Sequence, residues 1–243
     1  MPSEWLRSGR SAAHAGLAWG FLSAGSPQAC AARPRRQGWA RRRVPMSQPV
    51  TPRPAASLLV LRHGPAPEVL MGLRGAGHKF MPNRLVFPGG AVDAADHAAP
   101  AATPLRAEVM ALLGKSADAS LARALAVAAA RELEEETGLS LGAPPALDGL
   151  DYLCRAVTPE SMPMRFDARF LVIDAARVAG TLGGSGELED LRWYTLDDAL
   201  ALDLAFATRN VIEKLLAWLA LDAGQRRMRA TVPVLLNRGW TEE

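Results

Sequence analysis

Arg131-Glu132-Leu133-Glu134-Glu135-Glu136-Thr137-Gly138-Leu139 is the stretch that decides how this chain is read. On a helix, positions i, i+3 and i+4 share a face, so Glu132, Glu135 and Glu136 project together. Three like charges on one face repel, and without a cation they cost stability. A hard divalent cation, which prefers oxygen ligands, turns the same repulsion into a binding site. By residue type alone, a solvated acidic helix face accounts for the pattern equally well. The helix is expected to start with Ser120 as its N-cap and to run to about Thr137, with Gly138 where a left-handed C-cap residue belongs.

Upstream of this helix, Ala56–Leu61 reads as a buried strand, and Glu68–Leu73 as its hairpin partner across a Gly-Pro-Ala-Pro turn. Leu85-Val86-Phe87 then leads into Pro88-Gly89-Gly90, where paired glycines permit close approach of backbone to a ligand. Residues 97–119 are rich in alanine and proline, with one short helix expected over Leu105–Leu113. Downstream, strands are expected at Leu150–Val157, Ala168–Ile173 and Leu191–Thr195. Helices are expected at Asp197–Leu202 and Ala207–Leu221, the latter with Val211, Leu215, Leu216 and Leu219 on one stripe. Strands interspersed with helices, without regular alternation, describe an α/β chain of the α+β type, a mixed sheet with helices packed against it.

A length of 243 residues, 49% of them hydrophobic, suffices for one substantial core. The net charge of +3 divides unevenly, because residues 1–46 hold eight arginines against the single acid Glu4, leaving the remainder mildly acidic. A polynucleotide partner is therefore not expected. Residues 1–46 read as a disordered basic extension outside the fold, and residues 47–243 as the folded domain. The extension fits a transit peptide, a poor secretory signal around Leu17–Leu22, or upstream sequence that is not translated, with Met46 as the start. The expected location is cytoplasmic, with organellar targeting by residues 1–46 as the alternative. Cys30 and Cys154 lack the partners of a zinc site or a disulfide framework. No apolar run approaches the roughly 20 residues of a membrane span.

The central stretch matches the Nudix hydrolase signature R-E-U-x-E-E-x-G-U, where U is a bulky apolar residue, at every specified position. A chance match in a chain this long has a probability below roughly one in ten thousand, so the resemblance is specific. In the family, G-x5-E-x7 precedes this core. Counting back without a gap places Ala117 and Arg123 at those positions. A second register succeeds: Gly90 is the signature glycine, Asp96 stands as a shorter acid in place of the Glu, and an insertion at about 97–123 separates them from Arg131. Interrupted boxes preceded by stretches like Phe80-Met81-Pro82 and Phe87-Pro88-Gly89-Gly90 resemble the subgroup related to coenzyme A diphosphatases. Gly186–Trp193 resembles the late strand of many members.

The resemblance implies the Nudix fold, a mixed β-sheet sandwiched between helices. It implies that Glu132, Glu135 and Glu136 hold Mg²⁺, or Mn²⁺ as a substitute, aided by the backbone carbonyl of Gly89. It assigns Arg131 to bracing the loop through a box carboxylate, Glu187 or Glu189 to general-base work, and Gly90, Asp96 and Gly138 to structure. Arg74, Lys79, Arg84, Gly90 and Arg165 are candidates for substrate contact, with His78 and Arg169 nearby in sequence. The function implied is hydrolysis of the diphosphate linkage of coenzyme A or acyl-CoA, ADP-ribose or a dinucleotide. Arg74 fits the coenzyme A signature, whereas Gly75, Lys79 and Asn83 depart from it. The alternative is a Nudix-fold module that senses a nucleotide without cleaving it; such modules usually lose box carboxylates, and all three remain here. The expected partner is a small nucleotide, with no membrane or nucleic-acid polymer, in a chain that could form a homodimer. The insertion is expected to be a surface excursion that shapes the pocket rim.

Overall fold

A computed structural model describes residues 50–75, 77 and 83–243; the expectations for residues 1–46, His78, Lys79 and Phe80-Met81-Pro82 lie outside the described residues. The sheet is organised by β1 (Arg53–Arg62). Ala56, Leu58 and Val60 on this strand enter one core, and Leu59 and Leu61 enter the other. Burial on both faces is why the strand reads as a continuous apolar run rather than an alternating one.

A hairpin leads to β2 (Glu68–Arg74), antiparallel to β1 with Val69 opposite Leu61. After β3 (Leu85–Val86), the short β4 (Gly89–Ala91) pairs with the first half of β1, placing Gly89 opposite Ser57 and Gly90 opposite Ala56. A 3-10 turn, Ala94–His97, precedes α1 (Ala107–Leu113) and α2 (Ala119–Thr137). Next come β5 (Leu139–Ser140), β6 (Asp151–Val157) and β7 (Phe166–Asp174), the last running parallel to β1 along nearly its whole length. A second 3-10 turn, Ala175–Arg177, leads to β8 (Ala179–Gly180), which pairs with β5, and β9 (Leu188–Thr195), which pairs with β2. The chain continues through α3 (Leu196–Ala201), α4 (Phe206–Leu219), α5 (Ala223–Arg227), β10 (Pro233–Leu236) and β11 (Gly239–Glu242). The main sheet has the order β11-β10-β6-β7-β1-β2-β3, with β4 and β9 joined to β1 and β2. One face packs on α1 and α2, and the other on α3 and α4, which is the mixed sheet between helices expected from the sequence.

Several expectations are corrected. The N-cap of α2 is Asp118, whose side chain accepts from Leu121 N at 2.8 Å, while Ser120 hydrogen-bonds the ring of His97 at 2.8 Å. Asp caps as well as Ser does, and Ala119 favours an earlier start. The buried stripe of α4 is Val211, Ile212, Leu215 and Trp218, and Leu216 is exposed. A 3.6-residue period carries the face from 211 to 215 and then to 218. The insertion is not a surface excursion, because Leu105, Val109, Leu112 and Leu113 are buried in the same core as α2. Each such side chain contributes roughly 1.5–3 kcal/mol, so together they rival the net stability of a whole domain, about 5–15 kcal/mol.

Candidate active site

The carboxylates of α2 are graded by depth. Glu136 is buried, and its Oε2 accepts a 2.8 Å hydrogen bond from the Gly89 N–H of β4. Glu132 lies directly over Gly90, where an added Cβ would overlap its carboxylate and push that side chain aside. Glu135 is the most exposed, its side chain retaining 56% of its accessibility. Burial pushes Glu136 up to about 8 against the opposing Gly89 N–H, and the Glu132 and Glu187 charges push the same way. Burial also raises Glu132 despite Arg131, with Glu135 and Glu187 adding to the effect.

Arg131 ties this helix to the turn after β4. Its Nε and Nη2 grip the Asp96 carboxylate at 3.0 and 3.1 Å, and Nη2 also reaches the Ala91 carbonyl at 3.1 Å. Nη1 donates to Glu132 at 2.7 Å and to Glu135 at 3.2 Å. Asp96, itself buried, accepts in addition from Asp93 N at 2.8 Å, closing the 3-10 turn. The Asp96 carboxylate beside Arg131 holds the guanidinium charged well beyond its ordinary range.

The C-terminal end of α2 is capped twice. Gly138 adopts a left-handed φ of 72° and donates to Glu134 O at 2.9 Å. Residues 181–186 then fold across the same end, Gly183 N donating to Thr137 O and Ser185 N to Glu135 O, both at 2.9 Å. This loop delivers Glu187, whose Oε1 accepts from Arg74 Nη2 at 3.4 Å. Gly90, Asp96, Arg131, the three box glutamates, Glu187 and Arg74 thus belong to one connected constellation.

Residues 122–215 match the NUDIX domain model. The fold is that of a Nudix hydrolase. The chain is similar to a Nudix hydrolase from Alicyclobacillus acidocaldarius, at 27% identity over 69% of this chain and 92% of that one, with a TM-score of 0.55. It is also similar to the NUDIX domain of Shewanella oneidensis NrtR complexed with ADP ribose, at 17% identity over 70% of this chain and 90% of that one, with a TM-score of 0.47. A MutT NUDIX hydrolase from Burkholderia pseudomallei aligns at 22% identity over 68% of this chain and 99% of that one, with a TM-score of 0.45. No curated protein matches the chain significantly. The NUDIX-domain match and the likeness to the Alicyclobacillus hydrolase together support an enzyme, a Nudix pyrophosphohydrolase.

For the Nudix box, the donor set is carboxylate oxygen throughout and it repels itself, which is the chemistry a hard divalent cation answers. Among the described residues, no three His, Cys, Asp or Glu side chains converge as a ready-made metal cage. Arg131 holds Glu132 and Glu135 while the Gly89 N–H holds Glu136. The bond Gly89 makes to the box is through its N–H.

The other basic candidates are dispersed. Arg165 is buried and donates to the main-chain carbonyls of Thr158 at 3.0 Å and Val50 at 2.7 Å, binding strand ends together rather than presenting a free charge to a ligand. Arg169, also buried, donates to Asp167 and Ser116. Arg84 pairs with Asp203 ahead of α4. Sequence reasoning missed the Gly89 N–H and the loop at 181–186, for which the one available signal was the glycine density at 183, 184 and 186.

Proposed function

We propose that this Nudix-type enzyme is a Mg²⁺-dependent hydrolase of the diphosphate linkage in a nucleoside diphosphate derivative. The observation that carries the proposal is the placing of Glu132 over Gly90 and of the buried Glu136 on the Gly89 N–H, with burial pushing Glu136 up to about 8. Glu132, Glu135 and Glu136 would hold the metal. When bound, Mg²⁺ neutralises the diphosphate and acidifies a water for attack at phosphorus. Glu187 accepts the proton of that water, a P–O bond of the bridge breaks, and two phosphate monoesters leave. Arg74 orients the Glu187 carboxylate. Arg131, gripping Asp96, keeps the helix against β4 so that the carboxylates stay in register with the glycines.

Coenzyme A or acyl-CoA, ADP-ribose and dinucleotides share the diphosphate that this constellation addresses. The test is product chromatography after incubation of the purified protein with ADP-ribose, coenzyme A, NADH and a diadenosine polyphosphate, with Mg²⁺ or with EDTA. Cleavage at the diphosphate in Mg²⁺ and none in EDTA is expected. Failure to cleave any of the four removes the substrate class, and undiminished cleavage in EDTA removes the metal role.

A further inference from the structure

The loop at 181–186 is attached to the box helix through its backbone, and a side chain at Gly184 would be driven into that helix end, as one at Gly138 would be driven into the Thr181 carbonyl. Gly184 has a φ of +99°, and a Cβ there would overlap the Glu136 carbonyl oxygen and crowd the Thr137 nitrogen at 2.9 Å. The two flanking amides make the bonds that seat the loop, Gly183 to Thr137 O and Ser185 to Glu135 O. Two residues further on, Glu187 meets Arg74, and its charge is felt at both Glu132 and Glu136. Gly186 is the natural contrast: its φ of +84° is as unfavourable to side chains, yet nothing lies within 4 Å of the Cβ it lacks.

We propose that Gly184 is a positioning residue, whose bare α-carbon lets the 181–186 loop seat on the carbonyl end of the box helix and so fixes Glu187 against the box glutamates. The proposal rests on the assignment of Glu187 as general base. A loop bonded to two carbonyls of the helix end, Glu135 O and Thr137 O, moves with that helix, so the base and the carboxylates share one support. A displacement of about 1 Å at a proton-accepting group is enough to cost on the order of a hundredfold in rate.

The experiment compares Gly184→Ala, Gly186→Ala, Glu187→Gln and the double variant Gly184→Ala/Glu187→Gln in the full chain. Turnover is followed with whichever of the four nucleotides above is cleaved. Amide hydrogen exchange across 181–186 is followed without any nucleotide. Gly184→Ala should lower kcat on the order of a hundredfold while KM changes by less than about threefold, and should free the Gly183 and Ser185 amides to exchange. Gly186→Ala, strained in φ but without a contact to lose, should lower kcat far less and leave the Gly183 and Ser185 amides protected. The double variant should be no slower than Glu187→Gln alone, since residues acting through one group are not additive. Multiplying losses, an unchanged kcat in Gly184→Ala, or an equal effect in Gly186→Ala overturns the proposal. Full activity in Glu187→Gln overturns the premise instead, and is told apart because Gly184→Ala would still free the loop amides. If Gly184→Ala does not unfold cooperatively, Ser185→Pro, which removes the amide donated to Glu135 O, carries the same expectations.

Discussion

Asp96 and Arg131 stand 35 positions apart in the chain and meet in a two-pronged ion pair, with Nε on Oδ1 at 3.0 Å and Nη2 on Oδ2 at 3.1 Å. The carboxylate keeps only 3% of its side-chain accessibility and the guanidinium 26%, so the pair sits at the inner edge of the site. Everything between the two residues leaves from this clasp and returns to it.

Removing one partner leaves the other buried and uncompensated, which costs about 3–5 kcal/mol at fully buried pairs. Asp96→Ala should therefore lower the melting temperature by roughly 6–12 °C, using about 2–4 °C per kcal/mol for a chain of this size and the lower end of that cost. It should also lower turnover, because Arg131 would be released from the turn after β4. A melting temperature within about 2 °C of the parent would mean that the clasp carries little of the fold.

Glu136→Gln tests the carboxylate cluster. Burial raises Glu136 to about 8, so the folded state favours its protonated form. The corresponding stability is present below the unfolded value near 4.5 and is lost as pH rises through about 8. In metal-free protein, Glu136→Gln should match the parent at pH 4 and melt higher than the parent at pH 8.5, while hydrolysis falls by several orders of magnitude. A lower melting point at pH 8.5 would show the charge to be stabilising instead. Glu135→Gln should also abolish most hydrolysis, yet its loss of an exposed pair with Arg131 costs no more than about 0.5 kcal/mol.

Arg165→Gln should affect stability and spare catalysis. The loss of two charged hydrogen bonds, to the Thr158 and Val50 carbonyls, costs roughly 1.5 kcal/mol each, the lower end for such bonds because Val50 is exposed. A fall in melting temperature with KM unchanged is expected from thermal unfolding and steady-state kinetics on the same preparation. A raised KM with an unchanged melting point would return Arg165 to the substrate contacts.

Deleting residues 98–117 should abolish cooperative unfolding, because Leu105, Val109, Leu112 and Leu113 would leave the core shared with α2. Retention of a sharp transition, followed by circular dichroism, would mean that the remaining core closes without them.

The strands β1, β2, β6 and β7 and the helices α2 and α4 were legible because each carries a long apolar period or run, and β9, α1 and α3 from shorter patterns. The box glutamates were legible because their spacing on a helix is local. What escaped depends on contacts between distant segments. The burial of α1 is invisible in an alanine- and proline-rich stretch, since composition does not say which face finds a partner. Arg165 looks like a surface charge beside a strand until the carbonyls of Val50 and Thr158 are seen to surround it. Gly184 resembles any loop glycine until the helix end it touches is in place.

The parallel pairing of β1 with β7 sets the order in which the chain can assemble. Arg53 aligns with Phe166 and Leu61 with Asp174, so the central strand must wait for more than a hundred further residues before its long edge is satisfied. During synthesis, β1 can form its hairpin with β2 at once, but its other side stays open while the box helix and the insertion are made. A chain with such distant pairing folds slowly and exposes an apolar strand meanwhile. Conditions that shorten that interval, or a chaperone that shields residues 56–61, should raise the yield of soluble protein more than any change at the box itself.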